Sequence, residues 1–311
     1  MKAHLPSRIL PVLILALAGV TVASAGAQTC DGIVCTIVGT SNSETLNGTS
    51  GADVICGLAG NDTINADTGN DIICAGGGND TINGQGGNDL IYGEAGSDTV
   101  DGGVGTDDMK FFTAVTATLG SPGSATDTLG GTDSLSNIEN LIGSDSNDTL
   151  TGDSGNNVLT GRGGDDTLVG GTGSDILSGR DGNDSLTGGV EADTLDGGTG
   201  TDTAIYTAAI IASLSSANDG DTLTGIENLT GSSGADTLTG DSNANVLIGG
   251  GGNDTLNGGD GNDTLDAGSG ADTLDGGAGT GDTCNGGAPP PPIGAESDIC
   301  SNCETVFSCD V

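Results

Sequence analysis

The sequence predicts an all-β solenoid of very short parallel strands stacked along one axis. Three observations point there. An acid and an aliphatic residue recur in phase every nine residues over much of the chain. Of 311 residues, 61 are glycine, with no Trp, two Tyr and three Phe, so the large aromatics of an ordinary core are nearly absent. The formal net charge is −39, and its acids are spread along the chain rather than gathered in a tail. Length alone would allow two domains, but this composition argues against two compact hydrophobic ones.

Residues 1–27 read as a signal peptide. Lys2 and Arg8 give a positive start, Ile9 to Val22 is almost wholly apolar, and Ala25-Gly26-Ala27 offers small residues for cleavage. The apolar run is short of the roughly 20 residues that span a bilayer. The expected product is secreted, without membrane insertion. Cleavage would take the formal charge from −39 to −41 and remove His4, the only histidine. Without imidazole, Ser-His-Asp, Cys-His and His-based zinc chemistry are excluded. So acidic a chain repels nucleic acid and anionic lipid and suits cations as partners.

In ninefold register the chain gives 21 units in three blocks, 39–110, 143–205 and 231–284, each approximately Gly-Gly-x-Gly-x-Asp-x-apolar-x. The sixth place is Asp53, Asp62, Asp71, Asp80, Asp89, Asp98 and Asp107 in the first block. It is Asp148, Asp166, Asp175, Asp184, Asp193 and Asp202 in the second, and Asp236, Asp254, Asp263 and Asp272 in the third. The eighth place is apolar from Leu46 and Ile55 to Leu274, with Thr283 as the exception. A disordered low-complexity tract need not hold two residue classes in phase, whereas a solenoid must.

These units resemble the repeats-in-toxin (RTX, hemolysin-type) calcium-binding nonapeptide. The resemblance implies a parallel β-roll, six loop residues and three strand residues per repeat, two repeats per turn. It also implies calcium held by the sixth-place aspartates together with backbone carbonyls. If each ion bridges two stacked loops, a block of n repeats offers at most n − 2 sites, about 15 Ca2+ in all.

Elementary physics fits this reading. Glycine permits the backbone of tight loops and lets carbonyls crowd an ion. The middle residue of a three-residue strand points inward, so Ile64, Ile82 and Leu256 would line a thin core. Residues 18 apart would stack at ~4.8 Å, placing Asp62, Asp80 and Asp98 in one column and Asp53, Asp71, Asp89 and Asp107 in another. Neighbouring carboxylates at that spacing repel by roughly 3 kcal/mol at an effective dielectric of 20. Cations would relieve this and replace the missing core. Glu44, Asn157, Asn245 and Gly281 depart from Asp at the sixth place, and Glu191 replaces a loop glycine, so weaker or empty sites are expected there.

Two passages, 111–142 and 206–230, interrupt the blocks and end alike in NIENLIGS and GIENLTGS, a sign of module duplication. They read as irregular rungs, with Val115, Ala117 and Leu119 alternating as in a strand. Asp133 is expected to belong to no column, and Glu139 and Glu227 to face outward or add ligands. The segment 28–38 would be an N-terminal cap, and 285–311 a stiff Pro-rich spacer with a Cys-rich C-terminal cap.

All eight cysteines follow the cleavage point, which in an exported chain reads as disulfides rather than zinc. Cys30 and Cys35 could tie the N-terminal cap. Cys56 and Cys74, 18 residues apart at the ninth place, are expected to bond to each other across adjacent rungs. Resemblance to exported relatives implies Cys284 with Cys303, and Cys300 with Cys309.

The repeats and caps fill the chain beyond residue 27 and leave no region for a separate enzyme. A secreted structural or interaction module that folds on calcium is therefore the first reading, with a cell-surface or polysaccharide partner unspecified. A surface-adhesion or ice-binding module is the alternative, since Thr63, Thr81 and Thr99 form an outward row that Val54, Ile72 and Leu90 do not match. A secreted hydrolase is the least supported, because the lack of Trp leaves little for sugar stacking.

Overall fold

The computed structural model describes residues 27–215, 220–287 and 298–309. The segment expected to be a signal peptide, apart from Ala27, and most of the Pro-rich spacer lie outside the described residues. Among the described residues every element is a strand, most only three to six residues long. Glycine in every loop removes helix propensity, and a β-branched or aliphatic residue at each strand centre favours a pleated surface.

The strands build a parallel β-solenoid of about 14 turns. One side is a 16-stranded sheet along the whole length; the other is a 10-stranded sheet continued by a 5-stranded one. Pairing runs in register at 18-residue intervals, as in Leu46↔Ile64↔Ile82↔Val100 and Ile55↔Ile73↔Ile91. Each of these residues is buried, so the core is two stacked ladders of single side chains. Outward, Thr45, Thr63, Thr81 and Thr99 form a row, and Asn47, Asn65 and Asn83 a hydrogen-bonded ladder beside it.

The first interruption is more regular than a bulged rung. Val115–Thr118, Gly123–Asp127 and Asp133–Ser136 form an antiparallel meander within the large sheet. Val115, Ala117 and Leu119 are buried in the core. In the second, Ile211–Ser213 starts the 5-stranded sheet and Thr222–Thr224 ends the 10-stranded one.

The expected Cys56–Cys74 bond does not form. The two residues are in-register neighbours, but Cys74 is joined to Cys30 and Cys56 to Cys35. Side chains of in-register parallel neighbours project side by side, whereas a disulfide needs its two Cβ atoms turned toward each other. The hairpin Thr29–Cys30/Ile33–Val34 lies across both rungs and offers that geometry. The 18-residue turn stands while the bond inferred from it falls. At the other end Cys284 pairs with Cys303, and Cys300 with Cys309. Cys284 and Cys300 continue the core ladders after Leu265 and Leu274.

Cys284 also corrects the register of the last unit. One extra loop residue puts Asp282 at the acidic place and Cys284 at the apolar one, where the strict ninefold frame has Gly281 and Thr283.

Candidate metal-binding loops

Each sixth-place carboxylate is bonded to the turn before it. Oδ1 of Asp80 accepts the N–H of Asp62 at 2.7 Å, and Oδ1 of Asp98 that of Asp80 at 2.7 Å. On the other side Asp71 receives the N–H of Asp53, and Asp89 that of Asp71. The same link joins Asp148, Asp166, Asp184 and Asp202, then Asp175 and Asp193, then Asp236, Asp254 and Asp272. All 17 expected aspartates are buried and stand in such columns.

The columns are longer than the nonapeptides. Asp98 donates its N–H to Asp133 Oδ1 at 2.9 Å, so Asp133 belongs to a column after all. The meander inserted before it carries the chain out and back, replacing the 18-residue step by one of 35. Glu139 and Glu227 face inward, each accepting a main-chain N–H at 2.8 Å, from Asp107 and Asp202. Asp221, Asp282, Asp298 and Glu304 occupy further column places. A shared pattern marks most of these additions: Asp133, Asp221 and Asp298 each precede a glutamate, Glu139, Glu227 and Glu304, by six residues in D-x-[LC]-x-x-[IC]-E. After two of those glutamates the column resumes with an asparagine whose side-chain amide donates to the glutamate carbonyl, Asn157 to Glu139 and Asn245 to Glu227.

The second carboxylate oxygen divides the loops into two kinds. The two loops that open each block close on themselves. Asp53, Asp148 and Asp236 turn Oδ2 to the N–H of Thr49, Ser144 and Ser232 at 2.6–2.7 Å. Asn157 and Asn245 use Oδ1 in the same way toward Asp153 and Asp241, and Glu44 bonds the N–H of Thr40. In all six the second-place Thr, Ser or Asp side chain also bonds a main-chain N–H two residues on.

In 14 of the loops that follow, Oδ2 is buried without a hydrogen-bond partner. This holds for Asp62, Asp71, Asp80, Asp89, Asp98 and Asp107 in the first block, and for Asp166, Asp175, Asp184, Asp193 and Asp202 in the second. Asp254, Asp263 and Asp282 repeat it in the third. A buried carboxylate oxygen left unpaired is costly, and one per loop in register is a pattern.

The surroundings of that oxygen fit a hard cation. A Cβ added at Gly84 would stand 2.4 Å from Asp89 Oδ2 and 2.5 Å from the Gly102 carbonyl oxygen of the next turn. At Gly170 and Gly258 the matching distances are 2.3 and 2.4 Å to Asp175 and Asp263 Oδ2, and 2.5 Å to the Gly188 and Gly276 carbonyls. An anionic oxygen and a carbonyl oxygen thus converge where only glycine leaves space. Among the described residues no three acidic, histidine or cysteine side chains gather at one point. Any ion here would take most of its oxygens from the main chain, which calcium, with six to eight oxygen ligands, accommodates.

Burial strains the charges. It pushes Asp98 and Asp166 up to about 7, the N–H of Asp80 or Asp148 pulling back and stacked acids adding repulsion. Burial likewise raises Asp107, Asp133, Asp202 and Asp254 to about 6.

The fold and these rows define a parallel β-solenoid whose turns present unpartnered carboxylate oxygens in register. The family model for the RTX calcium-binding nonapeptide repeat, which spans four copies, matches residues 38–73, 75–109, 142–177, 169–204, 221–256 and 248–282. These matches cover more than half of the chain, which belongs to that family. The gaps between them include most of the two interruptions. No curated protein matches the chain.

Proposed function

We propose that the protein is a secreted structural module whose β-roll is completed by calcium, and that it has no catalytic role. The observation that carries this is the row of 14 buried Oδ2 atoms without partners, all in loops beyond the two that open each block. The calcium ligands are then Asp62, Asp71, Asp80, Asp89, Asp98 and Asp107, then Asp166, Asp175, Asp184, Asp193 and Asp202, then Asp254, Asp263 and Asp282, with Asp272 kept by its place in the column. Main-chain carbonyls of the next turn, mostly from first-place glycine or alanine, complete the sites. Asp53, Asp148 and Asp236 close their own loops and drop out of the set. Two closed loops per block agree with the deduction of two sites per block that gives at most about 15 ions.

When bound, calcium supplies the positive charge that offsets the stacked carboxylates. The chain's own residues hold Oδ1 fixed by the N–H of the preceding turn, so only Oδ2 faces the ion. Equilibrium dialysis against millimolar calcium tests the reading, since extracellular sites bind at ~10⁻⁴–10⁻³ M. More than ten ions per chain are expected, and binding of one or two would overturn it.

A further inference from the structure

Beyond residue 27 the chain has three basic side chains, Lys110, Arg162 and Arg180, against 44 acids. All three line one open groove on the outer face of the ten-stranded sheet. Arg162 and Arg180 are in-register partners on adjacent rungs. Like charges at that spacing repel, and both residues carry left-handed backbone, φ 92° and 84°. Gly103, Gly171, Gly189 and Gly198 hold the same loop place without either penalty. The fold therefore does not ask for arginine there.

Arg162 reaches Asp145 at 3.0 Å, while Arg180 makes no ion pair among the described residues. Toward the N-terminal end Lys110 bridges Asp31 at 3.2 Å and stands 5.3 Å from the centre of the Tyr92 ring, on which the half-exposed Phe112 stacks. Along the groove floor Thr160, Ser178 and Asp196 succeed one another rung by rung. These hydroxyl and carboxylate acceptors form a row beside the two arginines, and Asp145 and Asp181 line the same groove.

Three cations against this net charge cannot hold a polyanion, nucleic acid included, by charge alone, and a concave trough does not meet a flat bilayer. A single small anion would need only one guanidinium. Two guanidiniums one rung apart, ~4.8 Å along the axis, with Lys110 two rungs further toward the N-terminal end, suit a linear polymer with acid groups at a similar repeat. The row of acceptors beside them suits sugar hydroxyls.

We propose that this groove binds a linear acidic glycan. Its carboxylates or sulfates are held by Arg162 and Arg180, and its hydroxyls by Ser178 and Asp196.

The test titrates the calcium-loaded protein with a short oligogalacturonate, a sulfated galactan oligosaccharide, a neutral galactan oligosaccharide and polyglutamate. Arg162→Gly with Arg180→Gly removes the charges and installs the residue that the backbone prefers, so circular dichroism should show an unchanged fold. At least one acidic glycan should bind, at least tenfold more weakly in the double variant and progressively more weakly with added salt. Which of the two acidic glycans binds distinguishes carboxylate from sulfate. The proposal is overturned if neither binds, if the variant binds equally, or if polyglutamate or the neutral chain binds as tightly. The single variant Arg180→Gly gives a second reading, expected to lie between the wild type and the double variant.

Discussion

Replacing Asp80 by asparagine isolates the oxygen on which the calcium reading rests. The amide is isosteric, so its oxygen can still accept the Asp62 N–H now held at 2.7 Å. What changes is Oδ2, which becomes an NH2 that cannot ligate a cation. With free calcium at about 100 times the dissociation constant, losing one ion costs about 2.7 kcal/mol. Without calcium the sign reverses. Asp80 stacks between Asp62 and Asp98, and each neighbour at ~4.8 Å repels by roughly 3 kcal/mol at an effective dielectric of 20, so the neutral variant should be the more stable apo chain. The control is Asp153→Asn, which removes the same charge from a loop that closes itself; its Oδ1 accepts the Gly155 N–H, as an asparagine oxygen can. Calorimetric titration should show fewer ions bound to Asp80→Asn and the full number to Asp153→Asn. Equal losses in both, or none in Asp80→Asn, would refute the division of loops into open and self-closed.

Other outcomes follow from the same geometry. Asp133→Ala should lower calcium-loaded stability by about 1–3 kcal/mol for the unpaired N–H, and Asp80→Ala by more, since it also loses an ion, as measured by thermal unfolding. Gly87→Ala would place a Cβ 1.5 Å from the Gly69 carbonyl oxygen at φ 133° and should destabilise the roll by more than ~3 kcal/mol, whereas Gly86→Ala meets only Thr68 at 3.7 Å and should be near neutral. Burial raises the folded pKa values of Asp98, Asp107 and Asp166 from the unfolded 3.8 to about 7, 6 and 7. The calcium-free fold therefore binds protons more tightly than the unfolded chain, and its stability should fall as pH rises from about 4 to 7. Resin-decalcified protein should show more β structure at pH 5 than at pH 8, and the reverse order would contradict this. A peptide map of unreduced protein should join Cys30 to Cys74 and Cys35 to Cys56. Breaking the first, which spans 44 residues, should cost about 4 kcal/mol in the chain-entropy model.

The ninefold phase made the solenoid, its core ladders and the columns of 17 aspartates legible, because position within a repeat fixes which way a side chain points. Where the repeat breaks, that logic stops. Asp133 reaches its column through an antiparallel meander, and Glu139 follows it by a half-turn of six residues instead of nine. The three D-x-[LC]-x-x-[IC]-E copies held that information, but the third has cysteines where the others have Leu and Ile. Disulfide choice was hidden for another reason. Spacing brings Cys56 and Cys74 side by side, but only the path of the hairpin decides what each faces. The basic groove was half visible, in the 18-residue spacing of Arg162 and Arg180, while Lys110 joins them only through the stacking of turns.

The central claim is that calcium completes this fold, and far-ultraviolet circular dichroism of the chain beyond residue 27 tests it most directly. In excess chelator at pH 8 the stacked carboxylates should leave the chain largely disordered, and millimolar calcium should convert it to a β spectrum in one cooperative step. A full β spectrum in chelator, unchanged by calcium, would contradict the account.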